Sequence, residues 1–317
     1  MVSVTDTTKL VPAIAGKRTR KGGPPGRRRT GRITPWLFLL VPLALLGVFT
    51  YLPAANMFMY SFTSWNGFEA TPKQFVGLDN YASIFTRDDI LPVFVVSLYY
   101  IAASFIQMAL ALYFATLLSF STWFQNLFKG ILFFPALING VAIGFVFLYL
   151  FQPGGTLDSA LGAVGLGDLS RHWLGDPDVV NYSLAATSVW RYTGLNFVLF
   201  LGAIQSIPKE TYEAAEIDGA NRWHQFRYII APSIKRIISL SFILAISGSL
   251  AVFEIPYIMT QGANGSMTFV IKTVTLGLGT FHKVGLASAM AVVLLLLVLL
   301  ITWVQRRLVP DDKVDLS

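Results

Sequence analysis

The chain has 317 residues, 54% of them hydrophobic and only 13% charged, and its mean hydropathy of +0.61 excludes an ordinary soluble domain and points to a polytopic membrane protein. Its net charge of +7 comes from cations gathered at segment ends and in an amino-terminal tail, so membrane orientation explains it better than nucleic-acid binding. With no cysteine there is no disulfide framework, thiolate nucleophile or cysteine metal site.

Residues 1–34 are polar and rich in Gly, Pro and Arg, carrying Lys17, Arg18, Arg20, Lys21, Arg27, Arg28, Arg29 and Arg32. They read as a disordered, basic cytoplasmic tail drawn to anionic lipid headgroups, with no role toward nucleic acid. The apolar run from Trp36 is too long for a signal-peptide core and no small-residue cleavage site follows it, so it reads as an uncleaved first span.

A bilayer core needs roughly 20 apolar residues per helix. That criterion predicts an all-α integral membrane protein with about six transmembrane helices, over 35–60, 92–119, 129–151, 183–204, 234–257 and 286–304. The transmembrane domain then covers 35–305, followed by a short cytoplasmic tail over 306–317. Lys129, Lys209, Arg222, Arg227, Lys235, Arg236, Arg306, Arg307 and Lys313 fall on one side with the basic tail. Only Lys73, Arg87, Arg171, Lys272 and Lys283 fall on the other, which predicts that both termini are cytoplasmic.

This topology puts a charged insert, 205–233, in the cytoplasm between the fourth and fifth spans. Ser206 is a candidate N-cap for a helix from about Pro208 to Asp218, ended by Gly219. Asn221 can cap a second helix, in which Trp223, Phe226 and Ile230 recur at helical spacing before Pro232 interrupts it.

The insert carries Glu213-Ala214-Ala215, three residues, Gly219, nine residues, Ile229, one residue, then Ala231 and Pro232. This resembles the EAA loop of permease subunits in bacterial ABC importers, with Ala231 standing where that pattern has Leu. Gly77-Leu78-Asp79-Asn80-Tyr81 is similar to a segment common in sugar importer permeases. Phe253-Glu254, Thr260, Gly262, Gly265, Thr268, Phe281, Gly285, Ala287, Ser288 and Ala289 resemble the same family's final third. There the family carries Phe-Asp before a T-x-G-G-P turn, and this chain has Phe-Glu and Gln-Gly-Ala-Asn-Gly. The resemblance covers about 35–305 and points to the maltose-type carbohydrate uptake permeases, with glycerol-phosphate importers as relatives.

The resemblance implies a permease subunit that moves a carbohydrate, a di- or oligosaccharide first, into the cytoplasm by alternating access in a bacterial plasma membrane. It implies a second homologous permease subunit, two ATPase subunits beneath the EAA loops, an extracytoplasmic substrate-binding protein and surrounding membrane lipid. It implies no cofactor in this chain, ATP and Mg being held by the partner ATPase.

The residues agree on chemistry. No G-x-x-x-x-G-K-[ST] loop cradles phosphates, and His172, His224 and His282 lack metal-site spacing, so the chain is expected to be no enzyme. Asp158, Asp168, Asp176 and Asp178 read as solvated loop residues rather than an acid/base pair. In the insert, the Glu213 carboxylate can pair with a partner's arginine, Ala214 and Ala215 leave room for close approach, and Gly219 permits the turn. Trp223 and Phe226 either pack on the chain's own spans or meet the partner.

Within the bilayer, Glu254 and Arg191 are ionisable groups where charge is costly. They line a sugar path with Tyr192, Asn196, Gln107 and Asn139, or they form a helix-to-helix ion pair or snorkel outward. Gly140, Gly144, Gly194, Gly202 and Gly248 are expected to allow close helix packing. Other readings stay open at this point: a permease for a phosphorylated polyol, peptide or amino acid, a secondary ion-coupled transporter, or an assembly protein that leaves the insert unexplained.

Overall fold

Long apolar runs become helices because only a helix satisfies its own backbone in lipid, and the computed structural model, which describes residues 34–120, 125–279 and 281–308, is built from helices. The chain divides into two units, Met1–Pro53 and Ala54–Ser317. In the first, α1 (Thr34–Leu46) passes through a π-helical turn, Gly47–Tyr51, into α2 (Leu52–Ser61), which ends in the second unit. Trp36, Phe38, Leu40 and Phe49 are exposed, as expected of a helix apolar on every face. The predicted basic tail, apart from Thr34, lies outside the described residues.

The second unit continues with α3 (Asp79–Thr86), α4 (Leu91–Ser119), α5 (Gln125–Leu137), α6 (Gly140–Leu150), α7 (Thr156–Ala163) and α8 (Val180–Gln205). The insert follows as α9 (Lys209–Ile217), α10 (Arg222–Gln225), a π-helical turn Phe226–Ile230 and α11 (Ala231–Ser233). Then come α12 (Lys235–Leu250), α13 (Glu254–Thr260), α14 (Phe269–Gly277) and α15 (Val284–Leu308). Arg306 and Arg307 thus belong to the last helix rather than to a tail, where their charge meets its carboxyl end favourably. The rest of the predicted carboxyl-terminal tail lies outside the described residues from 309 onward.

Among the described residues, Phe38–Ser61, Leu91–Ser119, Lys235–Thr260 and Val284–Arg307 are long and apolar enough to cross a membrane. The predicted third span, 129–151, is a helix pair, α5 and α6, bent by 99°. The cause is local: Asn139 adopts an extended ψ of 141° and its side chain accepts from the Val141 N–H, capping a new helix inside an apolar run. The predicted fifth span is interrupted as well, between Leu250 and Glu254. Helix α8 matches the predicted fourth span but is too polar to meet the same apolar standard. Its Asn181, Ser183, Thr187, Ser188, Thr193 and Asn196 are buried in the protein, so lipid never meets them.

Three buried clusters hold the second unit. Met108, Ala111, Phe197, Phe200 and Ile204 join α4 to α8 and receive Ile230 and Ile234 from the insert side. Tyr100, Ile143, Leu184 and Ile255 join α4, α6, α8 and α13, and Ile84, Phe269, Leu276 and Met290 join α3, α14 and α15. Small residues set how closely these helices approach, since packing rather than water exclusion drives association in lipid. Gly144 lies against Ile258 and Gly194 against the Leu132 backbone, as expected. Gly202 and Gly248 differ from expectation, because each faces open space within this chain.

The Gly77–Tyr81 segment is a structural joint. Gly77 turns the chain at φ +58°, α3 begins at Asp79, and Tyr81 donates its phenol to Ser61 Oγ at 2.7 Å. The turn after α13 takes four left-handed residues, Gln261, Gly262, Asn264 and Gly265. It is tied to the rest by Asn264 donating to the Leu174 carbonyl at 2.9 Å and Asn181 to that of Gly265 at 3.1 Å.

Candidate functional site

The charged insert is built as two short helices rooted in the core. Ser206 does not cap α9: its hydroxyl donates back to the Ala203 carbonyl at 2.7 Å, closing α8 instead. The capping position falls to Pro208, whose ψ of 139° is the extended conformation a helix start requires, and α9 begins one residue later. At the other end Gly219 takes φ +82°. The Gly219 N–H donates to Glu216 O at 3.0 Å and the Ala220 N–H to Ala215 O at 2.8 Å, the paired bonds of a left-handed helix stop. Asn221 then caps α10, accepting from the His224 N–H at 2.9 Å.

Pro232 does not end the second helix in the simple way expected. The turn before it widens to π geometry, with the Ala231 N–H donating to Phe226 O, which relieves the clash a proline ring makes with the preceding turn. Helicity runs on to Ser233 and restarts at Lys235.

One side of this insert enters the core. Ile230 is fully buried, and Tyr212 and Phe226 pack against the cluster between α4 and α8. Gln225 is buried, and its amide donates to Glu216 at 3.3 Å, tying the two arms together. Periodicity reasoning missed Gln225, because a glutamine in a charged segment reads as solvated. The other side is open: Glu213 and Ala214 are exposed, Ala215 and Ile229 half-buried, Pro232 exposed. Ile217 is 87% exposed and Trp223 63% exposed, two large apolar groups offered to the exterior. Phe226 therefore packs on the chain's own helices, whereas Trp223 stands largely exposed with its ring tilted 30° to that of Phe226, centroids 5.5 Å apart.

The candidate path residues converge in part. Arg191 Nη1 donates to Glu254 Oε2 at 3.1 Å, joining α8 to the first residue of α13. The pair rests on Gly140, the first residue of α6, where any Cβ would strike the Glu254 carboxylate and the Arg191 guanidinium. Two helix breaks, before α6 and before α13, thus meet over one ion pair. Arg191 also lies over the Tyr192 ring, 5.0 Å from its centroid, and Phe253 stacks on Tyr257 at 4.8 Å. Asn139 spends its side-chain oxygen on capping α6. The Asn196 amide donates to Tyr192 O in its own helix at 3.3 Å. Gln107 is buried on α4, and no hydrogen bond among the described residues joins it to the pair. Gly140 has a sharper part than general helix packing, and Asn139-Gly140 inside an apolar run was the signal for it.

Beside these lies an apolar groove of about 610 Å³ between α4, α5 and α8, lined by Tyr99, Ile106, Leu110, Leu132, Tyr182 and Trp190. Outside the spans, Asp158 is structural: Trp173 Nε1 and the Gly154 N–H both donate to it at 2.8 Å. Those two bonds, the Trp173 one foremost, hold its carboxyl below the usual range.

A family model described as binding-protein-dependent transport system inner membrane component matches residues 107–312. The chain is 32% identical to the probable ABC transporter permease protein YurN of Bacillus subtilis (strain 168), over 89% of this chain and 98% of that one. It is 29% identical to the multiple sugar-binding transport system permease protein MsmF of Streptococcus mutans, over 86% of this chain and 94% of that one. Its fold is shared with a bacterial alginate ABC transporter solved with an alginate pentasaccharide-bound periplasmic protein, at a TM-score of 0.77 and 20% identity, over 88% of this chain and 94% of that one.

Proposed function

The chain belongs to the family of binding-protein-dependent transport system inner membrane components, and from that membership we propose that it is the permease subunit through which an ABC importer admits a carbohydrate. It is no enzyme: hydrolysis of ATP, with its Mg, belongs to separate subunits. A self-contained ion-coupled transporter is set aside by the same membership. The carbohydrate reading is supported by similarity to MsmF over most of both chains.

The remaining parts of the reading follow from physical argument. Six crossings are made by the α1–α2 run, α4, the bent α5–α6 pair, α8, the α12–α13 pair and α15. With the asymmetric Lys and Arg distribution, they put both termini and the insert in the cytoplasm of a bacterial cell. There α9 couples the chain to an ATPase subunit through Glu213, Ala214, Ala215 and Gly219, while Ile229 and Pro232 shape the return to α12. A second permease subunit completes the path, two ATPase subunits drive it, and an extracytoplasmic binding protein delivers solute to the outer loops. Nucleotide and loaded binding protein each favour one of two states and so alternate the opening of the path. Arg191, Glu254, Tyr192, Asn196, Gln107 and Asn139 belong to the path or its walls.

The observation that carries this reading is the shape of the insert, buried at Ile230 and open at Glu213, Ile217 and Trp223. A helix that only connected two spans would have no reason to expose large apolar groups beside an exposed carboxylate. The test is uptake and ATP hydrolysis by the assembled complex in proteoliposomes, comparing wild type with Glu213→Ala and Gly219→Asp while checking that all subunits co-purify. Loss or uncoupling of uptake is expected in both variants. Undiminished coupled transport would remove the lever role.

A further inference from the structure

Two charges meet where the helix breaks meet, and their exposure differs. The Arg191 side chain is 14% exposed and the Glu254 side chain 54%. The guanidinium is thus tucked between its carboxylate partner and the Tyr192 ring, 5.0 Å from that ring's centroid, and the carboxylate forms the open face. Only Oε2 of Glu254 is engaged, at 3.1 Å, and Oε1 accepts no hydrogen bond from the described residues. Helices α6, α8 and α13 contain no other Asp, Glu, Lys or Arg, so the fixed charge they contribute sums to zero. Beside Glu254, the stacked Phe253 and Tyr257 rings supply an apolar wall.

Resting on the proposed carbohydrate permease, we propose that the Arg191–Glu254 pair makes the path selective for electrically neutral carbohydrates over acidic ones. The free carboxylate oxygen accepts hydrogen bonds from solute hydroxyl groups. A uronate or phosphate arriving at the same place meets this carboxylate, and the one cation that α6, α8 and α13 supply is already paired with it. Glu254 therefore acts as the internal anion that keeps Arg191 from serving as an anion site. Gly140 leaves the space that the two charged groups occupy at the first turn of α6, where a Cβ would displace them.

The binding protein filters solutes upstream, so the test bypasses it. The assembled complex of both permeases and ATPases, in nanodiscs and held in its ATP-bound state, is titrated with neutral gluco-, galacto- and arabino-trisaccharides and with trigalacturonate and triguluronate. Wild type is expected to bind at least one neutral trisaccharide tenfold or more tighter than either uronate. Glu254→Gln, which leaves Arg191 unbalanced, should shift that ratio at least tenfold toward the uronates. The double variant Arg191→Gln with Glu254→Gln is neutral again and should recover the preference for neutral sugars, an outcome that simple loss of structure would not give. A wild-type preference for uronates, or a ratio unmoved by Glu254→Gln, overturns the inference and leaves the carbohydrate reading standing. Binding of neither panel overturns the carbohydrate reading itself.

Discussion

The Asn80 carboxamide donates to the Thr63 carbonyl at 2.9 Å and, from the same nitrogen, to the Ser61 carbonyl at 2.9 Å. One side chain thereby satisfies the frayed end of α2, and Gly285 at the start of α15 closes over the same Thr63 oxygen. Asn80→Ala leaves these carbonyls without their donor and is expected to destabilise the chain by about 1–3 kcal/mol. Asn80→Asp should cost more, since it sets a carboxylate against two carbonyl oxygens. Thermal unfolding in detergent reads both.

Two glycines of α8 give opposite expectations. A methyl group at Gly194 strikes the Leu132 backbone, whereas one at Gly202 meets nothing within this chain. Gly194→Ala should destabilise by about 1–3 kcal/mol through overpacking. Gly202→Ala should stabilise by about 0.5–1 kcal/mol, because alanine has less backbone freedom to lose. The same unfolding measurement on the isolated subunit separates them.

Buried and exposed residues of the insert give separable expectations. Ile230→Ala opens a cavity in the α4–α8 core and should destabilise by about 2–5 kcal/mol. Ile217→Asp and Trp223→Ala change exposed groups and should leave the unfolding midpoint within about 0.5 kcal/mol of wild type. These two are expected to lower ATP-coupled uptake by the assembled complex all the same. Full uptake in both would show that the exposed apolar groups take no part.

An acid-sensitive clamp sits outside the spans. Asp89 accepts from Arg87 Nε at 2.9 Å and pairs with Lys272 Nζ at 2.9 Å. The Arg87 hydrogen bond foremost, then that of Lys272, holds its carboxyl well below its ordinary 3.8. A carboxyl depressed in the folded state contributes fully above its unfolded value and loses that contribution as pH falls from about 4 toward the folded value. The pair is half in solvent, so the contribution is at most about 1 kcal/mol and weakens with salt. Asp89→Asn should abolish this part of the pH dependence below about 4 while leaving the dependence above it unchanged, as read by unfolding across a pH series.

Much of the insert was legible from its residues. Gly219 acts through its own backbone preference and Asn221 through a hydrogen bond to a residue three positions on, so neither needs a distant neighbour. Ser206 was misread because a hydroxyl at a helix junction can serve either side, and the carbonyl of Ala203 was nearer. The bend at Asn139 was missed because an apolar run outweighed a capping residue in an average over the segment. Asn80 and Tyr81 were noticed only as a pattern. Their hydrogen bonds reach back to Ser61, beyond the range of any local rule.

The sequence by itself determined that this is a helical membrane protein with a charged two-helix insert between the long helices now seen as α8 and α12, because hydropathy and capping are properties of contiguous residues. Only the tertiary structure decided that α8 hides a polar face, that Gly202 lies open, and that Arg191 meets Glu254 over Gly140. Those facts depend on which residues distant in sequence occupy the same space, and two charges 63 positions apart declare themselves a pair only when the helices carrying them are packed.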